Sequence, residues 1–260
     1  MLLTLDIGNT NIKCAVFRGD LMIGYWRVAT NRDMSSDEYG MLLVNLFRFN
    51  EIDHKEVNGI AISSVVPQIN FTIDHMCRNY FGRAPMMVAP GIKTGINIKY
   101  DNPRELGSDR IANAVAANEL YGGPCIYIDF GTATTFGVMS AKGELLGGAI
   151  CPGFRLSADA LVERASKLPR FELVRPESII GKNTITNMQS GIIYGHIGMV
   201  TYLIEKMKQE IDAPDAKVIA TGGMALLIAD ETPAIQVLDG LLTLKGLRLI
   251  YEKNKEEISG

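Results

Sequence analysis

The sequence predicts an α/β protein built from two domains of similar topology, with a ligand cleft between them. Strand-like and helix-like patterns alternate along the chain, and the alternation runs through twice. Two strands that end in aspartate and enter the same kind of small polar turn stand a fixed distance apart: Asp6 and Asp129 are separated by 123 residues, as are Gly8 and Gly131. Equal offsets of this kind are the mark of a duplicated unit. The boundary is placed between 118 and 119, giving domains 1–118 and 119–260.

The elements follow in order. From Met1 to Val16, Leu3, Leu5 and Ile7 alternate up to the Gly8-Asn9 turn, and Ile12, Cys14 and Val16 resume the alternation. That reads as strand, tight turn and returning strand. After the Arg18-Gly19-Asp20 turn a third strand is expected at Leu21 to Val28. Tyr39, Leu42, Leu43, Leu46 and Phe47 are spaced for an amphipathic helix over 36–49, and 109–121 has the same character. Strands are expected at 59–66, stopped by Pro67, and at 85–88. The second half opens with Ile126, Ile128 and Phe130 around Asp129, turns at Gly131-Thr132, returns over 135–139 and turns again near Lys142-Gly143. Helices over about 156–167 and 191–211, a strand at 217–221 running into Gly222-Gly223, and a helix over about 238–255 complete it. The last helix is able to pack back on the first domain.

Composition narrows the function. The 260 residues are 47% hydrophobic and 21% charged, ordinary for a globular core, and the net charge of −3 offers no basic surplus for nucleic acid or an anionic membrane. Four cysteines without C-x-x-C spacing argue against zinc and against a disulfide framework. No secretory leader or membrane-length apolar run is legible, so the expected compartment is the cytoplasm.

The chemistry concentrates in the two turns. In Asp6-Ile7-Gly8-Asn9-Thr10-Asn11-Ile12-Lys13 a carboxylate ends a strand and small polar residues and a lysine follow. Backbone N–H groups of such a bend can approach phosphate oxygens, Asp6 can orient hydrated Mg²⁺, and Lys13 can add balancing charge. The octapeptide alone fits a simple hairpin equally well. Its repeat at Asp129-Phe130-Gly131-Thr132-Ala133-Thr134-Thr135, with three hydroxyls, shifts the balance toward a nucleotide site. Neither G-x-x-x-x-G-K-[ST] nor G-x-G-x-x-G occurs, no two histidines have metal-ligand spacing, and no serine sits in G-x-S-x-G.

Taken together, DIGNTNIK at 6–13, GSDR at 107–110, DFGTATTFG at 129–137, the CPGF beginning at Cys151 and TGG at 221–223 resemble the signature of type III pantothenate kinases, in the family's order and over nearly the whole chain. The resemblance implies two actin-like (ribonuclease H-like) domains with mixed five-stranded sheets flanked by helices. It also implies ATP-dependent phosphorylation of pantothenate to 4′-phosphopantothenate, the first step of coenzyme A synthesis. ATP contacts fall on Asp6, Ile7, Gly8, Asn9, Thr10, Asn11, Ile12, Lys13 and Thr132. Substrate contacts fall on Tyr100, Gly107, Ser108, Asp109, Arg110 and Thr184, with Asp109 catalytic. Asp129 matches the ligand of a monovalent cation, K⁺ or NH₄⁺, and Asp6 matches an Mg²⁺ contact, direct or through water. A homodimer with Thr184 acting across the interface is implied as well. Gly137 stands where an acidic residue is common in that family.

Physically, Gly107 permits close approach, Ser108 can cap a helix, and Asp109 beside Arg110 offers a proton acceptor and an anion binder. Those four residues by themselves favour an ordinary surface helix start with Asp109 paired to Arg110. Other readings keep the fold and change the acceptor to another small hydroxylated or carboxylated molecule, or make the chain a non-catalytic nucleotide-binding regulator.

Overall fold

The computed structural model of the chain describes residues 1–229 and 231–258. Among these, the chain runs β1 (Leu2–Ile7), β2 (Asn11–Arg18), β3 (Leu21–Ala29), α1 (Ser36–Phe49), β4 (Gly59–Ser64), α2 (Asn70–Phe81), β5 (Met86–Met87), β6 (Asn97–Ile98) and α3 (Ser108–Tyr121). It continues with β7 (Cys125–Phe130), β8 (Ala133–Met139), β9 (Glu144–Gly147), β10 (Ile150–Pro152), α4 (Phe154–Arg164), α5 (Thr184–Glu210), β11 (Lys217–Thr221), α6 (Leu226–Ala229), β12 (Val237–Leu238) and α7 (Leu242–Ile258). Two compact units result. Of the described residues, the first holds 1–96, 101–116 and 242–258; the second holds 97–100, 117–229 and 231–241.

In the first unit the sheet order is β3-β2-β1-β4-β5, with β1, β4 and β5 parallel and the β1-β2-β3 meander antiparallel. Side chains alternate across a strand, and the two faces here differ in kind. Leu3, Leu5 and Ile7, with Ile12, Cys14 and Val16 beside them and Ile60 and Ile62 on β4, form a core with Tyr39, Leu43 and Phe47 of α1 and Ile73, Met76, Cys77 and Phe81 of α2. α1 starts where a capping box closes it, Ser35 Oγ accepting from Glu38 N while Glu38 accepts from Ser35 N. The opposite face carries small residues, Thr4, Ala15, Gly59 and Ala61, all buried.

α7 lies across β1, β2 and β4 on that face. A Cβ on Gly59 would fall 2.1 Å from the Tyr251 hydroxyl oxygen, and one on Gly246 would fall 2.0 Å from the Ala112 carbonyl oxygen, so α7 touches α3 backbone to backbone. Thr243 Oγ1 donates to Asn113 Oδ1 at 2.8 Å, both buried, and locks the crossing.

The second unit repeats the first. Its run β9-β8-β7-β11-β12 has the same sequence of antiparallel and parallel pairings as β3-β2-β1-β4-β5. The expected five strands are therefore present in both sheets, and in the second β6 is added beside β9 and β10 beside β8. The duplication is exact to the aspartates and then slips. Four residues, Gly8 to Asn11, separate the pair Ile7 and Ile12, whereas only Gly131 to Ala133 separate Phe130 and Thr134. Lys13 opposite Asp6 thus corresponds to Thr135 opposite Asp129.

Some element bounds differ from the sequence expectation. α5 begins at Thr184, a turn and a half or more before Gly191, because Asn183 and Thr186 form a capping box there. Residues 237–238 are strand, and the closing helix starts at Leu242, after Asp239 Oδ1 accepts from Leu241 N at 3.1 Å. The expected helix over 156–167 occupies Phe154–Arg164 instead, and α2 had no sequence counterpart.

Candidate active site

In the first unit, Asp6 is the penultimate residue of β1 and faces Lys13 across the antiparallel ladder, Nζ to Oδ2 at 3.4 Å. Asp6 is buried, and a carboxylate withdrawn from water needs such a partner. The lysine expected to balance phosphate charge is therefore engaged with Asp6. The turn between them is pinned by Gly8 N donating to Asn11 O at 3.0 Å, Thr30 Oγ1 donating to Gly8 O at 2.6 Å and Thr30 N donating to Thr10 O at 3.0 Å. Asn9 and Thr10 are exposed at its tip, and their amide N–H groups have no partner among the described residues. A fixed bend with outward N–H groups is suited to anionic oxygens.

Asp109 sits in the first turn of α3, half-buried. Its Oδ1 accepts from Arg110 N at 2.8 Å and lies 2.5 Å from where a Cβ on Gly107 would be. Glycine at 107 is what leaves the carboxylate its position. Ser108 was expected to cap the helix and to meet substrate. It is buried, and its Oγ accepts from Ser64 N at 3.0 Å, donates to Ser64 O at 3.2 Å and lies 3.1 Å from Ser63 Oγ. The hydroxyl is spent on β4, and the helix makes its first backbone bond from Ile111 N to Gly107 O.

In the second unit Asp129 is the penultimate residue of β7, with Thr221 beside it on β11. Gly222, at φ 94°, passes close to the carboxylate: a Cβ there would lie 2.5 Å from Asp129 Oδ1 and 2.6 Å from the Phe130 backbone. The glycine of the T-G-G stretch thus serves the aspartate. Of the three turn hydroxyls expected together, Thr132 is exposed, whereas Thr134 is buried on the other face and lies 3.1 Å from His196 Nε2. His196 stacks on Phe154 at 4.0 Å, and burial lowers its pKa. Gly153 supports the turn from beneath, since a Cβ would meet the Thr132 carbonyl oxygen at 2.3 Å. Gly137 makes room for the Tyr127 ring, 2.1 Å from a would-be Cβ, so the absent acidic residue is replaced by packing.

The family model of type III pantothenate kinase matches residues 2–206. The chain belongs to the type III pantothenate kinase family. The kinase has the actin-like fold, and solved structures similar to it include one described as a conserved Baf family transcriptional activator from Campylobacter jejuni, with 18% identity, coverage of 98% of this chain and 99% of that one, and a TM-score of 0.62. Another, described as a 2-dehydro-3-deoxygalactonokinase from Sinorhizobium meliloti, has 10% identity, 97% and 96% coverage and a TM-score of 0.62. A third is component A of (R)-2-hydroxyglutaryl-CoA dehydratase from Acidaminococcus fermentans, with 13% identity, 100% and 99% coverage and a TM-score of 0.57. At these identities the likeness is one of fold.

Within the first unit Asp6 pairs in register with Ser63 and Ser108 bonds to Ser64, which brings Asp6, Gly107 and Ser108 to the end of β4, with Lys13 opposite Asp6 and Asp109 and Arg110 next along α3. Within the second the kinase gathers Asp129 and Thr132; Tyr100 is half-buried just after β6, and Thr184 is exposed at the start of α5. Thr30, Ser63, Ser64 and Gly153 were not singled out as site residues by sequence. The signal for the serines was their place at the end of a strand that runs parallel to β1, where Asp6 pairs with Ser63 in register. No group of three or more His, Cys, Asp or Glu side chains among the described residues is arranged to hold a metal. A single carboxylate such as Asp6 fits Mg²⁺, which usually retains waters and substrate phosphate oxygens. No helix among the described residues is long and apolar enough to cross a membrane.

Proposed function

We propose that this kinase transfers the γ-phosphoryl group of ATP to the primary hydroxyl of pantothenate, giving 4′-phosphopantothenate and ADP. The observation that carries the reading is the Asp109 carboxylate, held over a bare glycine at the start of α3 in the same unit as the Asp6 to Lys13 turn. The amides of Asn9 and Thr10 bind phosphate oxygens, and Thr132 supplies the second nucleotide contact. Arg110, with its planar guanidinium, takes the pantothenate carboxylate, and Tyr100 lines the substrate. Asp109 accepts a hydrogen bond from the substrate hydroxyl and takes its proton late, as a loose transition state requires, while the hydroxyl oxygen bonds to phosphorus and ADP leaves. Asp6 would hold Mg²⁺, directly or through water, and the ion would supply charge neutralisation to the phosphoryl group being transferred. Asp129 would hold a monovalent cation, K⁺ or NH₄⁺, whose charge would offset that of the phosphate oxygens.

The active form is a homodimer in which Thr184 reaches the partner's substrate. Supporting this, the exposed side of α5 is a stripe of Thr184, Asn187, Gly191, Gly195, Gly198 and Tyr202, where helices can approach closely. A cytoplasmic setting, where ATP and reduced thiols coexist, suits four free cysteines, of which burial pushes Cys14, Cys77 and Cys125 up to about 12.

The test is coupled ADP release with pantothenate in K⁺ and in Na⁺ buffers, with Asp109→Asn alongside. Turnover that depends on pantothenate and K⁺, and a roughly 10²–10⁴-fold lower kcat with ATP binding retained in the variant, are expected. Release only with another hydroxyl acceptor would move the substrate assignment. Nucleotide binding without acceptor-dependent release would favour a regulator, a reading prompted by the name given to the Campylobacter jejuni structure.

A further inference from the structure

The end of β4 connects the two chemical elements of the first unit. Val65 N donates to Ile7 O at 3.0 Å, at the entrance of the Gly8 turn, and the neighbouring Ser64 N donates to Ser108 Oγ at 3.0 Å, one residue before Asp109. Ser108 Oγ in turn donates to Ser64 O at 3.2 Å and lies 3.1 Å from Ser63 Oγ, and Ser63 is in register with Asp6. Ser64 Oγ donates to Asn70 Oδ1 at 2.6 Å and accepts from Val66 N at 3.2 Å, which fixes the strand end itself. Ser63 and Ser108 are both buried, so water does not substitute readily for either hydroxyl.

We infer that Ser108, clamped to Ser63 and Ser64, is a positioning residue that sets Asp109 against the Asp6 turn, so that acceptor hydroxyl and phosphoryl group are presented by one rigid piece. This rests on Asp109 being the catalytic residue. Alanine at 108 opens little space but takes the acceptor from Ser64 N–H, so the melt reads the stability lost with that bond and kcat reads the effect on geometry. A displacement near 1 Å at a reacting centre costs on the order of 10²-fold in rate, and loss of one clamp with the backbone intact is expected to cost about tenfold.

The experiment is a kinetic cycle on the full chain: wild type, Ser108→Ala, Asp109→Asn and the double variant, with Ser108→Thr as the hydroxyl-keeping control and a thermal melt of each. The expected result is a roughly tenfold lower kcat in Ser108→Ala with KM for ATP unchanged, recovery of most of the rate in Ser108→Thr, and no further loss when Ser108→Ala is added to Asp109→Asn. An unchanged kcat in Ser108→Ala, or the same loss in the Asp109→Asn background, overturns the positioning role. Full activity of Asp109→Asn by itself would remove Asp109 from the mechanism and the clamp with it. Should Ser108→Ala not fold, Ser63→Ala replaces it, with a several-fold lower kcat and the same absence of additivity expected; a wild-type kcat there is equally decisive against the role.

Discussion

Gly107→Ala separates carboxylate position from fold stability. The new methyl carbon would lie 2.5 Å from Asp109 Oδ1, whereas real Cβ contacts essentially never fall below 3.0 Å, so the carboxylate must move by roughly half an ångström or more. The obstructing atom is the tip of a short side chain that can rotate, and no left-handed φ is recorded at 107, so alanine enters without backbone strain. The stability cost is confined to a poorer residue at the helix cap, about 0.5–1 kcal/mol. The kinetic cost is larger: with a 1 Å misplacement worth about 10²-fold, half that distance on a logarithmic scale predicts a kcat lower by roughly tenfold, with KM for ATP within twofold. Coupled ADP release and a denaturant melt on one preparation measure both. A kcat within twofold of wild type at unchanged stability would show that the rate does not depend on where this carboxylate points.

Gly222→Ala places a Cβ 2.6 Å from the Phe130 backbone at φ 94°, where nothing can swing aside; a loss of about 1–3 kcal/mol by denaturant melt is expected, together with a higher K⁺ concentration for half-activation as Asp129 is displaced. His196 gives a pH signature. Burial lowers its pKa below the ordinary 6.5, so near that pH the unfolded chain takes up a proton that the folded chain refuses. Stability from the neutral ring is complete above the unfolded value and is lost as pH falls through 6.5 toward the folded value. His196→Gln should flatten this part of the melting-temperature profile between pH 7 and 5, and an unaltered slope would rule the residue out as its source.

Local pattern carried far where the signal was local. The amphipathic spacing of 36–49 and the β-branched run of 217–221 gave those elements to the residue, and the paired Asp and Gly offsets anticipated a duplication that sheet order bears out. α2 was missed because Pro67 reads as a stop and because Phe71, an apolar residue on the exposed side, blurs the stripe of Ile73, Met76, Cys77 and Phe81. The early start of α5 was hidden by polar residues over 184–190, although Asn183 and Thr186 announce it as a capping box.

In the candidate site, the aspartates were legible because each stands next to last in a strand before a glycine turn. What their neighbours do was not. Ser108 looked like a cap and Thr134 like a turn hydroxyl, and both are assigned by contacts with residues distant in sequence; Lys13 looked like a phosphate ligand and is assigned by the hairpin register that sets it opposite Asp6. The roles of Gly107, Gly222 and Gly137 depend likewise on which atom fills the space of a missing Cβ.

The return of α7 to the small-residue face of the first sheet has a consequence for biogenesis. Thr4, Ala15, Gly59 and Ala61 are synthesised before residues 62–241, and the helix that shields them only after those, so that side of the first sheet stays open until 242–258 has been made. Leu2 and Phe17 lie on the same open side, and the small side chains beside them keep its apolar area low until the helix arrives.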